Sequence, residues 1–222
     1  MTIRHALIFA AGRGERMRPL TDATPKPLLR AGGKMLIERH LEKLGAAGVE
    51  RVVINTSHLA EQFPVALGDG ARWGLRIDYS YEGPTPFETG GGIRHALPLL
   101  GPAPFIVVSA DIVSDYDYAH LPDEPDGLAH LVMVPNPDFH PRGDFCLAGS
   151  RLDEDGIGER LTFGNIGVYR AELVSAEAGT HFKLLPSFQR AMRNGQLRGE
   201  RYDGFWRNVG TPAQLEELWE RL

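Results

Sequence analysis

The sequence predicts an α/β fold with a mostly parallel (mixed) central sheet flanked by helices. Two observations carry this reading. Short β-branched runs alternate with helical patterns, the signature of parallel strands joined by crossover helices. The 222 residues include 26 glycines and 16 prolines, about a fifth of the chain against a usual ~12%, which excludes a simple helical bundle. With 42% hydrophobic and 24% charged residues the chain is an ordinary foldable one, so the extra glycine belongs to ordered loops.

Strands are predicted, in order, at residues 5–10, 51–55, 75–81, 105–109, 128–134, 143–147 and 161–169. Helices are predicted at 35–47, 59–67, 92–99, 183–194 and 212–222. Met35, Leu36, Leu41 and Leu44 give the first helix an apolar stripe near 3.6 spacing, and Gly48 stands where a C-terminal cap belongs. In the last helix Leu215, Leu218, Trp219 and Leu222 share one face, which reads as core packing. Beyond about residue 128 the alternation yields to strands between Pro- and Gly-rich loops, as expected for sheet-edge strands.

At this length one domain spanning 1–222 is expected, burying roughly 70–75% of the surface of the unfolded chain. The lone Cys146 excludes an internal disulfide, and no Cys/His cluster has zinc-ligand spacing. The apolar run near the start is too short for a signal-peptide core, and no stretch reaches ~18 apolar residues. These features predict a cytoplasmic protein with no membrane partner. Net charge is −5, and with no broad basic face nucleic acid is not expected as a partner. The sequence leaves the oligomeric state open.

The first strand runs into Ala10-Ala11-Gly12-Arg13-Gly14-Glu15-Arg16-Met17-Arg18-Pro19-Leu20-Thr21, followed by Pro25-Lys26-Pro27. Small residues leaving a buried strand let backbone N–H groups approach a ligand, and the concavity suits phosphate oxygens. The place is right for an α/β ligand site. No Gly-Lys-Ser/Thr completes a P-loop, and Met17 stands where a dinucleotide fingerprint needs its third glycine. Arg16 can fork onto phosphate oxygens, and Lys26 between two prolines is a positioned point charge. Arg13 and Arg18 read as solvated. Residues 105–111 form a buried strand ending in Asp111, on the same sheet edge as the first loop, where a hard cation bridging phosphates would be held. An EF-hand is excluded because Tyr116 and Pro122 occupy its glycine and glutamate positions; Asp115 and Asp117 read as turn formers.

These motifs together resemble the signature of the sugar-phosphate nucleotidyltransferases, which join a nucleoside triphosphate to a sugar 1-phosphate. Glu15 replaces the usual threonine before the arginine. That change, Glu88-Thr89-Gly90-Gly91-Gly92, and Asn136-Pro137 followed by Gly143-Asp144-Phe145 resemble a short subgroup that uses UTP and N-acetylmuramate 1-phosphate in cell-wall recycling. The likeness runs over essentially the whole chain.

The resemblance implies a nucleotidyltransferase fold, with a Rossmann-like sheet and a smaller sugar-binding β region. It implies nucleotide contacts from Ala11, Gly12, Gly14, Glu15, Arg16 and Lys26, and base contacts from Thr89 and Gly90 in a loop ahead of a helix. Glu82 is a candidate acceptor for the uracil imino group. Mg²⁺ is implied on Asp111 and on Asn208, where most relatives carry aspartate and some uridylyltransferases for N-acetylated sugars carry asparagine. An amide oxygen can bind Mg²⁺ but brings no charge; the alternative role for Asn208 is to cap the helix near Pro212. On the sugar side the candidates are Asp144, Glu159 and Asn165. Lys183 stands in for the phosphate-binding lysine of the absent Glu-Lys-Pro motif. No Ser-His pair suggests covalent catalysis. Two alternatives stay open. One is the same chemistry on mannose or glucose 1-phosphate with GTP or dTTP. The other is a non-catalytic nucleotide-sugar-binding module.

Overall fold

The computed structural model describes residues 3–221. In chain order the elements are β1 (His5–Phe9), α1 (Leu20–Ala23), β2 (Arg30–Ala31), β3 (Lys34–Met35), α2 (Leu36–Ala46), β4 (Arg51–Thr56), α3 (Gln62–Leu67), β5 (Arg76–Tyr81), α4 (Glu88–Leu100), β6 (Phe105–Ser109) and β7 (Ile112–Ser114). The second half holds β8 (Ala129–Val134), β9 (Phe145–Ala148), β10 (Arg151–Asp153), β11 (Glu159–Tyr169), α5 (Leu185–Arg193), β12 (Leu197–Arg201), β13 (Trp206–Asn208) and α6 (Pro212–Arg221).

Nine strands form one sheet in the order β5-β4-β1-β6-β11-β8-β12-β10-β9. The first four are parallel, and the eleven-residue β11 runs antiparallel to both β6 and β8 while its first residues pair with β9. The sheet is therefore mixed, as expected. Both faces are covered, so the central strands are apolar on successive residues and do not alternate. Ile8, Ile54 and Val108 pack against Leu41 and Leu44 of α2 and Phe63 of α3 on one face. Leu7, Val53 and Val107 pack against Ile93 of α4 and Phe188 of α5 on the other.

Helix α2 ends as its sequence predicts. Gly48 adopts φ +86, its N–H donates to Gly45 and that of Val49 to Leu44, both at 3.0 Å, which satisfies carbonyls left free at the helix end. A small third cluster of Met17, Leu36, Val113, Val209 and Leu218 ties the first loop to α6. Leu218 is thus core, but Trp219 is 56% exposed, which corrects its assignment to the packed face; Leu222 lies outside the described residues. No helix among the described residues is long and apolar enough to cross a membrane.

The largest correction is to the glycine run. Residues 90–92 do not form a loop ahead of the helix, because α4 begins at Glu88 and takes all three glycines into its first turns. The N–H groups of Gly90 and Gly91 both donate to the Phe182 carbonyl at 3.0 Å. A Cβ on Gly90 would lie 2.4 Å from the Phe182 ring, and one on Gly91 2.0 Å from the Thr180 carbonyl oxygen. The glycines let a distant strap, residues 180–184, seat directly on the helix.

Candidate functional site

The loops beyond the carboxyl ends of β1, β4, β5 and β6 enclose a cavity of about 650 Å³. Ala11, Gly12, Gly14, Glu15, Arg16, Lys26, Glu82, Thr89 and Asp111 all line it. A smaller cavity of about 290 Å³ is lined by Asp144 and Asn165 and shares Phe9, Thr89 and Ser109 with the first. The sequence-predicted nucleotide and sugar sides are therefore neighbours.

In the first loop, Gly14 adopts φ +62, and a Cβ there would meet Thr21 Cγ2 at 2.9 Å and Lys26 Cβ at 3.2 Å. The bare Gly14 lets the loop fold down onto the Pro25-Lys26-Pro27 turn, and its carbonyl accepts from Thr21 Oγ1 at 2.9 Å and from the Met17 N–H at 2.8 Å. Gly12 is different. Its φ is not positive and nothing lies within 4 Å of a Cβ placed there, so neither backbone strain nor packing in the protein calls for glycine. Its freedom faces the cavity.

Lys26 opens a 3₁₀ turn, Lys26–Leu28, and its Nζ lies 2.6 Å from Asp111 Oδ2. Asp111 is fixed from both sides: the preceding Ala110 N–H donates to the Phe9 carbonyl at 3.0 Å, and the Asp111 carbonyl accepts from the Val209 N–H at 2.9 Å. Arg16 is exposed, with Nη2 3.2 Å from where a Cβ on Gly210 would stand. Arg13 is exposed too and reaches the Pro84 carbonyl at 3.3 Å, while Arg18 pairs with Asp22.

Asn208 pairs in register with Ile112, the residue after Asp111. Its Oδ1 is buried with no hydrogen-bond partner. It lines a third cavity, of about 480 Å³, and not the first. Asn208 does not cap α6: the Gln214 N–H donates to Thr211 Oγ1 at 3.3 Å, so Thr211 fills that role. An orphaned amide oxygen one strand away from a carboxylate fits a hard cation completed by substrate oxygens and water. Among the described residues no group of three or more His, Cys, Asp or Glu could hold a metal by itself.

Several expectations are corrected. Glu82 is not a solvated loop glutamate free to read a base. It is 2% exposed, and both its oxygens are occupied, Oε1 by Asn55 Nδ2 and Oε2 by the Phe87 N–H, each at 2.7 Å. Gly90 is buried against Phe182 and does not line the cavity. Glu159 lines none of these cavities and pairs with Arg201 on the exposed strand end. Lys183 lies in the strap ahead of α5, exposed, and does not start the helix. Asp117 caps a turn through the Ala119 N–H and Asp115 accepts from the Tyr202 hydroxyl, so both are structural.

On the sugar side, Asp144 Oδ2 accepts from the Phe163 N–H at 2.8 Å and Oδ1 lies 3.1 Å from His140 Nε2. Asn165 sits at a bulge in the β11–β8 pairing with φ +56. A left-handed non-glycine residue beside a cavity stores local strain, as functional positions often do. Sequence reasoning passed over Asn55, whose Oδ1 accepts from the Ala10 N–H at 2.6 Å. Its only sequence signal is an amide at the end of a buried strand.

The model of a family described as nucleotidyl transferase matches residues 5–134, which span β1 to β8 and most of the first cavity's lining. The chain belongs to the nucleotidyl transferase family. Over 96% of its length it is 46% identical to N-acetylmuramate alpha-1-phosphate uridylyltransferase of Neisseria meningitidis, covering 95% of that protein. Over 93% of its length it is 33% identical to the enzyme of the same name from Caulobacter vibrioides, covering 92% of it. The fold is also that of the inositol-1-phosphate CTP transferase of T. maritima, with a TM-score of 0.78 at 18% identity over all of this chain and 96% of the other. The first loop, Lys26 and Asp111 of this nucleotidyl transferase all fall within the matched residues.

Proposed function

We propose that this nucleotidyl transferase joins UTP to N-acetylmuramate 1-phosphate, giving the UDP-sugar and pyrophosphate, as a cytoplasmic step in peptidoglycan recycling. The observation that carries the choice of substrates is the 46% identity over nearly the full length of both chains. The chemistry is supported by the 2.6 Å approach of Lys26 to Asp111 at the sheet edge.

In this reading an oxygen of the sugar 1-phosphate attacks the α-phosphorus of UTP. The bond from that phosphorus to the oxygen bridging to the β-phosphorus breaks, and pyrophosphate leaves with the electron pair. The nucleophile is already ionised at neutral pH, so the protein supplies position and charge and no general base. Ala11 and Gly12 offer backbone to the phosphates. Lys26 and Arg16 offset the charge of the triphosphate and the departing pyrophosphate. Thr89, on the wall shared by both cavities, orients the nucleotide toward the sugar, which Asp144 and Asn165 hold by hydroxyl and N-acetyl groups. Asp111 and Asn208 would hold Mg²⁺, which when bound would supply positive charge to offset that of the reacting phosphates.

Pyrophosphate release across four nucleoside triphosphates and several sugar 1-phosphates tests the reading. The expected maximum is UTP with N-acetylmuramate 1-phosphate. A maximum on mannose or glucose 1-phosphate with GTP or dTTP would replace the substrates, and silence throughout would favour a binding module.

A further inference from the structure

Three segments that wall the first cavity are joined by a buried hydrogen-bond relay. The Ala10 N–H donates to Asn55 Oδ1 at 2.6 Å, Asn55 Nδ2 donates to Glu82 Oε1 at 2.7 Å, and the Phe87 N–H donates to Glu82 Oε2 at 2.7 Å. Asn55 and Glu82 are 3% and 2% exposed. Helix α4 leaves room for the pair through Gly92, where a Cβ would lie 2.7 Å from Glu82 Oε1 and 2.9 Å from Asn55 Nδ2.

The relay has a direction. Both of its ends are backbone N–H groups, which only donate. Asn55 must therefore turn its oxygen to Ala10 and its amino group to Glu82, and Glu82 must accept twice, as an ionised carboxylate does. A buried donor or acceptor left unmatched is costly, so the order of groups is specified. The relay begins where the first loop leaves β1 and ends at Phe87, two residues before Thr89.

We propose that Asn55 is a positioning residue for the nucleotide. Through Ala10 and Glu82 it fixes the phosphate-side loop at a set distance from the Phe87–Thr89 wall, so that both ends of one nucleotide fit at once. This rests on the nucleotide reading proposed above.

The test is a charge-conserving exchange. Asn55→Asp alone sets two carboxylates against each other, and Glu82→Gln alone leaves one N–H facing another, however the two amides are turned. The double variant restores the relay with its middle bond reversed. The carboxylate introduced by Asn55→Asp accepts from the Ala10 N–H and from the amide introduced by Glu82→Gln, whose oxygen accepts from the Phe87 N–H. Each single variant is expected to raise KM for UTP by about tenfold or more with KM for the sugar 1-phosphate nearly unchanged, and the double variant to return KM for UTP to within about threefold of the parent. A double variant no better than the worse single overturns the relay, as do single variants that lower only the thermal midpoint. If Asn55→Asp does not fold, Glu82→Gln and the double variant decide. The parent protein is assayed alongside: turnover by the parent without rescue removes the relay alone, whereas no turnover by the parent on any nucleotide removes the functional reading and the relay with it.

Discussion

Lys26 and Asp111, 85 positions apart in sequence, meet with Nζ 2.6 Å from Oδ2 where β1 and β6 end side by side. The contact joins a cation suited to phosphate oxygens and a carboxylate suited to a hard metal ion. Their side chains are only 12% and 29% exposed, so neither charge is fully screened by solvent.

Two unit charges at ~4 Å and an effective dielectric near 20 interact by about 4 kcal/mol. Each ~1.4 kcal/mol is tenfold in rate. Lys26→Ala is accordingly expected to cost a hundredfold or more in kcat/KM while retaining a cooperative thermal transition. Near-normal steady-state kinetics would take Lys26 out of the mechanism.

Asn208→Asp adds a formal charge where an amide oxygen is now buried without a partner. The magnesium concentration giving half-maximal turnover is expected to fall, because a carboxylate holds a hard cation more tightly than a neutral carbonyl. A titration in which that concentration stays the same or rises would show that Asn208 does not bind the ion.

The first two loop glycines are expected to respond differently to alanine. Gly14→Ala must hold φ +62 and press on Thr21 at 2.9 Å, which should destabilise the fold by ~1–2 kcal/mol. Gly12→Ala meets nothing within 4 Å and should leave the urea midpoint unchanged while raising KM for the triphosphate by roughly tenfold. An unaltered KM would leave the openness at Gly12 without a role in nucleotide binding.

Stability should depend on His40. Complete burial, reinforced by the Lys43 ammonium and opposed by Asp111, brings its imidazole down to about 4, and its Nδ1 lies 2.6 Å from the Tyr118 hydroxyl. The folded protein therefore keeps it neutral while the unfolded chain protonates it near 6.5. This contribution is fully present above pH 6.5 and is lost as pH falls toward about 4, an effect on the order of 3 kcal/mol. Urea denaturation at several pH values should show the slope, and His40→Asn should flatten it. Equal slopes in the two proteins would assign the pH dependence to other groups.

The parallel half of the sheet was legible because its strands are buried on both faces, as in Phe105–Ser109, and so read as continuous apolar runs. Strand β12 was not. Its buried positions are Leu197 and Gly199, and the latter has no side chain to register in a hydrophobic pattern; Arg198, Glu200 and Arg201 supply the rest. The start of α4 was hidden for a related reason. Glycine has poor helix propensity, and only the Phe182 carbonyl, far along the chain, makes Gly90 and Gly91 good first-turn residues. In the site, the loop residues announced by charge and spacing, Arg16, Lys26 and Asp111, line one cavity at the sheet edge. Glu82 and Glu159 misled because a carboxylate in a sequence does not reveal its partner, here Asn55 in one case and Arg201 in the other.

The strap on α4 also bears on the order of events during synthesis, in which a chain emerges from its N-terminus. When residues 5–134 have left the ribosome, the first loop, Lys26 and Asp111 are all outside, yet Phe182 is not there to cap α4 and β11 is not there to cover the flank of β6. Val209, which fixes the Asp111 backbone, arrives later still. The nascent protein thus carries its phosphate-facing residues well before it has a finished cleft, and the segments that follow act as the part that closes the assembly.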